Sequence, residues 1–257
     1  MLKHSLITIA VLGLTTPVWA NEIEFDRPGQ GFSTQTLPKG QVVWEQSLAN
    51  TLYTESRDLN GQLVKQTVLN ADLLLRAGLT EQLELQLGWQ GPSWSKTKVA
   101  GQSVEDDGLG DVSVGLKHHI DLGDERLSMA VLAQAVLATG NDGFSEQDDR
   151  YRLGSTVSYI YDEDQNLNTA LSMFYEVQDG RWRATAVPTL SYQFAPKWNG
   201  YSELIYSKAE SLDYEYGLGS GVMYSISPKL QLDASANIML HGQNKNYQAN
   251  LGFAYAF

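Results

Sequence analysis

From Tyr247 to the last residue every odd position is apolar or aromatic: Tyr247, Ala249, Leu251, Phe253, Tyr255 and Phe257. The even positions, Asn246, Gln248, Asn250, Gly252, Ala254 and Ala256, are polar or small. Successive side chains of a strand point to opposite faces, so a period of two predicts a strand with one greasy face. The pattern recurs upstream. Leu230, Leu232, Ala234, Ala236, Ile238 and Leu240 form one such face; Leu127, Met129, Val131, Ala133, Ala135 and Leu137 form another; Leu83, Leu85, Leu87 and Trp89 form a third. About twelve strands are expected on this period. Their spans are 41–53, 64–77, 83–94, 109–120, 126–138, 150–161, 167–177, 182–194, 198–208, 213–226, 229–240 and 246–257. In the first of them Val42 and Val43 compete for the inward face.

The connections differ in character. Those at 78–82, 121–125, 162–165, 195–197 and 227–228 are tight, whereas 54–63, 95–108 and 139–149 are longer. Short turns at one end and longer loops at the other are the layout of an outer-membrane barrel. An even strand number puts both ends of the barrel on the short-turn, periplasmic side. Aromatics also sort to strand ends. Tyr159, Tyr161, Tyr192, Phe194, Trp198, Tyr224, Tyr255 and Phe257 fall near the periplasmic rim, and Trp89, Tyr151, Tyr175, Tyr206, Tyr214 and Tyr247 near the outer one. Two girdles are expected where rings sit at headgroup level, and a soluble sandwich has no reason for them. The expected fold is therefore all-β, a transmembrane antiparallel β-barrel. In hydrocarbon every backbone donor and acceptor needs an internal partner, which strands achieve only by closing. Pro188 sits inside one strand and removes a ladder hydrogen bond, so a bulge or bend is expected there.

Composition narrows the chemistry. The 257 residues hold no cysteine, so disulfides and cysteine-ligated metals are excluded. Basic residues number 18 against 30 acidic ones, a net charge of -12, which disfavours nucleic acid as a partner. No stretch after the N-terminus approaches the roughly 20 apolar residues of a spanning helix. Residues 1–20 read as a cleaved signal peptide: Lys3, an apolar run from Leu6 to Leu14, Pro17, then Val18-Trp19-Ala20 before the cleavage point. Residues 21–40 are polar and rich in Gly and Pro, and residues 41–257 form the barrel. The 21–40 segment hangs in the periplasm or tucks into the lumen as a gate. In the second case Arg27 pairs with lumen acids such as Asp72 or Glu84.

The inward set comprises Glu45, Asp72, Arg76, Glu84, Asp111, Lys117, Arg152, Glu176, Arg183, Glu203, Glu215 and Asp233, with His119 beside them. Acids outnumber bases, which fits a mildly cation-favouring pore. The competing reading is a packed lumen whose charges pair across the barrel. Catalysis is poorly supported. His118 and His119 face opposite sides, His241 lies near the outer rim, and Ser113 belongs to no nucleophile motif. Neither a metal site nor a cofactor is expected. The acidic runs Glu105-Asp106-Asp107 and Glu146, Asp148, Asp149 read as solvated loops without calcium-loop spacing.

Three segments carry a family resemblance. Residues 25–40 read Phe-Asp-Arg-Pro-Gly-Gln-Gly-Phe-Ser-Thr-Gln-Thr-Leu-Pro-Lys-Gly, residues 76–85 Arg-Ala-Gly-Leu-Thr-Glu-Gln-Leu-Glu-Leu, and residues 108–117 Gly-Leu-Gly-Asp-Val-Ser-Val-Gly-Leu-Lys. They resemble the opening segment, first periplasmic turn and Gly-x-Gly-Asp strand of the outer-membrane transporters grouped as "MetA-pathway of phenol degradation". The resemblance implies a barrel in the outer membrane of a Gram-negative bacterium, taking up aromatic or other hydrophobic small molecules. It brings no catalytic residues.

The expected function is a monomeric, passive channel or transporter for small solutes, not an enzyme. Two alternatives are an outer-membrane lipid-modifying enzyme on the same scaffold and a filled structural or partner-binding barrel. Outer-membrane lipid and lipopolysaccharide are the expected surroundings. Phe253, Tyr255 and Phe257 resemble the C-terminal signal read by the barrel-assembly machinery. Deleting Phe257 is expected to lower the yield of assembled barrel in outer-membrane fractions, and an unchanged yield would remove that role.

Overall fold

The computed structural model describes residues 23–161, 167–242 and 244–257. The expected signal peptide and the turn at 162–165 lie outside the described residues. The strands are β1 (Val42–Arg57), β2 (Leu63–Asn70), β3 (Leu73–Gly78), β4 (Leu83–Trp89), β5 (Pro92–Val99), β6 (Gln102–Leu109), β7 (Val112–Asp124) and β8 (Leu127–Leu137). They continue as β9 (Arg150–Ile160), β10 (Leu167–Gln178), β11 (Arg181–Ala195), β12 (Trp198–Ala209), β13 (Tyr214–Ser227), β14 (Leu230–His241) and β15 (Lys245–Ala256). All join one antiparallel sheet, and β15 pairs with β1 from Val43 opposite Ala256 to Glu55 opposite Lys245. The sheet is thereby closed into a barrel of 12 staves, in which β2 with β3, β4 with β5 and β6 with β7 each make one stave.

Those three broken staves lie side by side. The lower half of β1 pairs with β3 and its upper half with β2, β3 leads on to β4 and β2 to β5. The breaks at 71–72, 90–91 and 110–111 therefore form one crease across the wall. Gly91 has φ of 77°, and a Cβ there would meet the Ala71 carbonyl oxygen at 2.0 Å. Only glycine lets the creased strands approach so closely.

Two expected loops are shorter than their sequence suggested. Strand pairing carries β1 to Arg57, and most of 95–108 is a hairpin of β5 and β6. Ala100 and Gly101 turn it with φ of 50° and 84°, the double positive φ of a tight hairpin turn. Above the membrane both faces of a strand meet water, so no greasy period marks these residues. Glu105, Asp106 and Asp107 accordingly stand on β6 and not in a loop. The bulge expected at Pro188 is absent. Leu171 sits opposite Pro188, and β11 keeps its register against β12 from Ala186–Tyr206 to Thr189–Glu203. The missing N–H interrupts the ladder locally without adding a residue. The irregularity in β1 falls instead between Ser47 and Ala49.

The buried residues point into the lumen and the outer surface is apolar. Val43 is fully buried while Val42 is exposed, which settles the inward face of β1. Glu45, Arg76, Glu84 and Lys117 are fully buried, whereas Leu153, Leu204 and Leu251 are each more than half exposed. A soluble fold would reverse this arrangement. Ring contacts run along both rims: Tyr255 with Phe257, Trp198 with Phe194 and Tyr224 at one end, and Tyr53 with Tyr247, Tyr206 with Tyr214 at the other.

Candidate functional site

The lumen is where polar side chains converge. Twelve strands about 4.8 Å apart, tilted by about 40°, enclose a backbone diameter of roughly 24 Å. Inward side chains take about 5 Å from each wall, half the usual spacing of packed sheets, leaving roughly 14 Å. An extended chain with side chains on both sides is about 10 Å across. One such segment fills most of the lumen, and residues 23–40 do this.

The segment is held from one wall to the other. The Arg27 guanidinium donates to Asp233 at 3.0 and 3.2 Å, to Ser47 Oγ at 2.8 Å and to Asn250 Oδ1 at 3.1 Å. The backbone N–H of Gln30 donates to the Glu203 carboxylate at 3.1 Å. Thr34 Oγ1 lies 2.5 Å from Ser128 Oγ and 3.2 Å from Ser158 Oγ, and its carbonyl meets His119 Nδ1 at 2.9 Å. The N–H of Leu37 donates to Glu84 at 3.0 Å. Apolar contacts are few: Phe32 against Phe174, and Ile23, Phe25 and Leu37 around Val43 and Ala256.

A buried ion network supports the lower half. Arg76 donates to Glu84 at 2.8 and 3.0 Å, to Glu45 at 2.8 Å and to the Glu24 carbonyl at 2.8 Å. Asp26 lies 3.6 Å from Arg76 and 3.2 Å from Lys117, and accepts from Ser33 and from Gln86 at 2.9 Å. Burial alone would push the Asp26 carboxyl up, but Arg76, Lys117 and the Ser33 hydrogen bonds outweigh it and hold it well below the usual carboxylate range.

The sequence-derived inward residues divide into groups. Glu45, Arg76, Glu84 and Lys117 meet in the network just described, and Asp233 and Asp72 face Arg27, Asp72 only at 3.8 Å. Glu84, the other partner expected for Arg27, is taken by Arg76 and Lys117. Arg152 with Glu176, at 2.6 Å, and Arg183 with Glu215, at 3.1 Å, form separate pairs nearer the outer end. Asp111 does not line open lumen. It is buried and accepts from the backbone N–H groups of Thr139, Gly140 and Glu146 at 2.8–3.0 Å, so it shapes the 138–149 loop. Glu203 makes no salt bridge among the described residues and accepts only backbone donors.

Histidine chemistry stays dispersed. His118 and His119 bind the carbonyls of Gln82 and Thr34, and His241 stacks on Tyr214 and Tyr216 at 5.2 and 5.3 Å. Among the described residues no three His, Asp or Glu side chains converge as metal ligands. Asp26 and the small polar partners Ser33, Ser47, Ser128, Ser158 and Asn250 escaped sequence reasoning, as did two residues that shape the site. Gln86 joins Asp26 to Glu84, and Gly252 seats Arg27, because a Cβ there would meet the guanidinium at 2.1 Å. Their alternation put both on the inner face, but nothing in the chain placed residues 26 and 27 against them.

Geometry defines the class: a closed transmembrane barrel whose own N-terminal segment occupies the lumen. The chain belongs to the family described as "MetA-pathway of phenol degradation", whose model matches residues 25–257. Among solved structures it is similar to the COG4313 outer membrane channel from Pseudomonas putida F1, with TM-score 0.63 and 16% identity over 91% of this chain and 100% of that one. It is also similar to the translocator domain of the autotransporter NalP from Neisseria meningitidis, with TM-score 0.57 and 14% identity over 86% and 90%. The KdgM porin matches with TM-score 0.52 and 14% identity over 81% and 99%. At these identities the likeness is one of fold. No curated protein sequence matches the chain.

Proposed function

We propose that this protein is a gated outer-membrane channel for small solutes, with aromatic or other hydrophobic compounds as its cargo. Its gate is the segment 23–40. The observation that carries the reading is how that segment is held: by hydrogen bonds and ion pairs to lumen side chains along its length, with apolar packing confined to Phe32 on Phe174 and to Ile23, Phe25 and Leu37 around Val43 and Ala256. Polar contacts of this kind exchange with water when the segment withdraws, whereas a packed core resists opening. The family membership and the fold shared with a channel and a porin agree with transport. In this reading the barrel is an exported monomer, inserted by the barrel-assembly machinery into the outer membrane of a Gram-negative bacterium. The residues named in the lumen act in passage and not in catalysis.

Arg27→Ala tests the gate. Arg27 and Asp233 have side chains 9% and 0% exposed. Truncating one partner of such a buried pair costs roughly 3 kcal/mol, about a hundredfold in the docked-to-withdrawn ratio. Single-channel conductance in planar bilayers is expected to rise, and unchanged conductance from folded protein sinks the gate. A filled structural barrel is the second reading. It is favoured by the pairing of every basic residue in the sequence-derived inward set with a carboxylate. It predicts silence from wild type and variant alike.

A further inference from the structure

The chain is acidic overall, yet five of its bases share one outward sector. Lys245, Glu55, Lys65, Lys98 and Ser103 are successive cross-strand partners on β15, β1, β2, β5 and β6. They stand in one row on the outer face. The next row towards the membrane reads Tyr247, Tyr53, Thr67, Lys96 and Glu105, and the one below it Ala249, Thr51, Leu69, Trp94 and Asp107. Arg57 stands one row above Glu55 on the same face of β1. The acids facing this sector are Glu55, which pairs with Lys65 at 3.4 Å, Glu105, which pairs with Lys96, and Asp107. Lys98 makes no salt bridge among the described residues.

Height places the row at a membrane surface. Tyr247 is eight residues from Tyr255, about 26 Å along the strand and about 20 Å along the membrane normal at a tilt near 40°. These two tyrosines mark the aromatic girdles on β15. A row of partners is itself inclined by the strand tilt, so on β2 and β5 the level is set by Leu69 and Trp94. Lys65 and Lys98 stand four residues beyond them, about 10 Å along the normal. Lys65 and Lys98 are directly opposed, with Cβ atoms about 5 Å apart, and like charges so placed repel. Glu55 offsets this for Lys65 from its other side, which leaves Lys98 as the cation without a carboxylate among the described residues. Both side chains are exposed and outward, so an anion that meets them has to come from outside the barrel, at headgroup height.

We propose that Lys65 and Lys98, flanked by Lys96, Lys245 and Arg57, bind the phosphate of an outer-leaflet lipopolysaccharide, whose acyl chains lie along Leu69 and Trp94. The site rests on the barrel's standing in an outer membrane with this end outward. It is independent of the gate, since it lies on the other face of the wall.

The test uses the full chain folded in detergent micelles and titrated with purified rough lipopolysaccharide, bound glycolipid being counted by native mass spectrometry. The double variant Lys65→Gln, Lys98→Gln is expected to lose about tenfold or more in affinity, with two charge-assisted contacts removed. Lys98→Arg is expected to retain binding. Lipopolysaccharide stripped of phosphate should bind wild type as weakly as the intact glycolipid binds the double variant. Equal binding by wild type and double variant overturns the site, as does indifference to the phosphate. Displacement of the glycolipid by millimolar inorganic phosphate would also overturn it, by assigning the site to a free anion. Heat-modified gel migration shows that each variant is folded, and the exposed positions give no reason for failure. Conductance of the double variant should match wild type, which separates this result from the fate of the channel reading.

Discussion

A chain lacking residues 23–39 is expected to form a folded barrel with a steady conductance about twofold or more larger than that of the intact protein. The segment is about 10 Å wide in a lumen with roughly 14 Å between side chains, so its removal changes the open cross-section more than any point substitution can. The wall survives the deletion because its charges remain matched. Arg76 keeps Glu45 and Glu84, and Lys117 keeps Glu84 at 3.5 Å. Strand pairing does not involve the segment, since β1 begins at Val42 and closes on β15 from Val43. Loss of the segment also frees Glu203 and Asp233 to face water, so the open pore should favour cations. Single-channel recording with reversal potentials in a salt gradient reads both effects. A folded deletion variant that conducts no better than wild type shows that something other than this segment closes the lumen.

The second large effect belongs to Arg76→Ala. The guanidinium is fully buried and meets three carboxylates, those of Glu45, Glu84 and Asp26. Its removal leaves Glu45 with no cation and leaves Glu84 and Asp26 with Lys117 alone. Breaking a buried ion pair from one side costs about 3–5 kcal/mol, because the remaining charge is neither solvated nor paired. The free energy of urea unfolding from lipid vesicles, obtained from midpoint and slope, is expected to fall by that amount. A triple variant, Arg76→Met with Glu45→Gln and Glu84→Gln, should recover most of it by removing the stranded charges. An Arg76→Ala barrel as stable as wild type would mean that water reaches these carboxylates. Asp26 brings the docked segment into the same network, so Arg76→Ala should also raise conductance, tying stability to the gate.

Much of the architecture was legible along the chain because a membrane imposes a period. One face of each stave meets lipid and the other a polar lumen, so Leu230 to Leu240 and Tyr247 to Phe257 carry their orientation in their spelling. Where that constraint stops, so does the signal. The outer part of the β5–β6 hairpin, beyond Trp94, stands in water, and Ser95 to Gln102 show no greasy alternation to mark it. The crease at 71–72, 90–91 and 110–111 was hidden for another reason. A kink keeps most of the alternation, and only Gly91 betrays it. At Pro188 only the bulge half of the expectation fails, since a missing N–H costs a ladder bond but does not compel an extra residue.

The lumen divides in the same way. Glu45, Arg76, Glu84 and Asp233 were placed on the inner face by parity alone, a local property of each strand. Parity carries no information about who meets whom across the barrel. Arg27 selects Asp233 over Glu84 because the register of β14 and β15 brings Asp233 beside Gly252, whose missing Cβ leaves room for the guanidinium. Asp111 turns to the loop and not the lumen because 138–149 folds back over the start of β7. That the strands form a wall with a wet side and a greasy side is thus written residue by residue along the chain, since lipid and water act on each residue separately. Which charges neutralise one another, and that residues 23–40 thread the space between them, follow only from closure of the barrel, because those contacts join positions up to 223 residues apart.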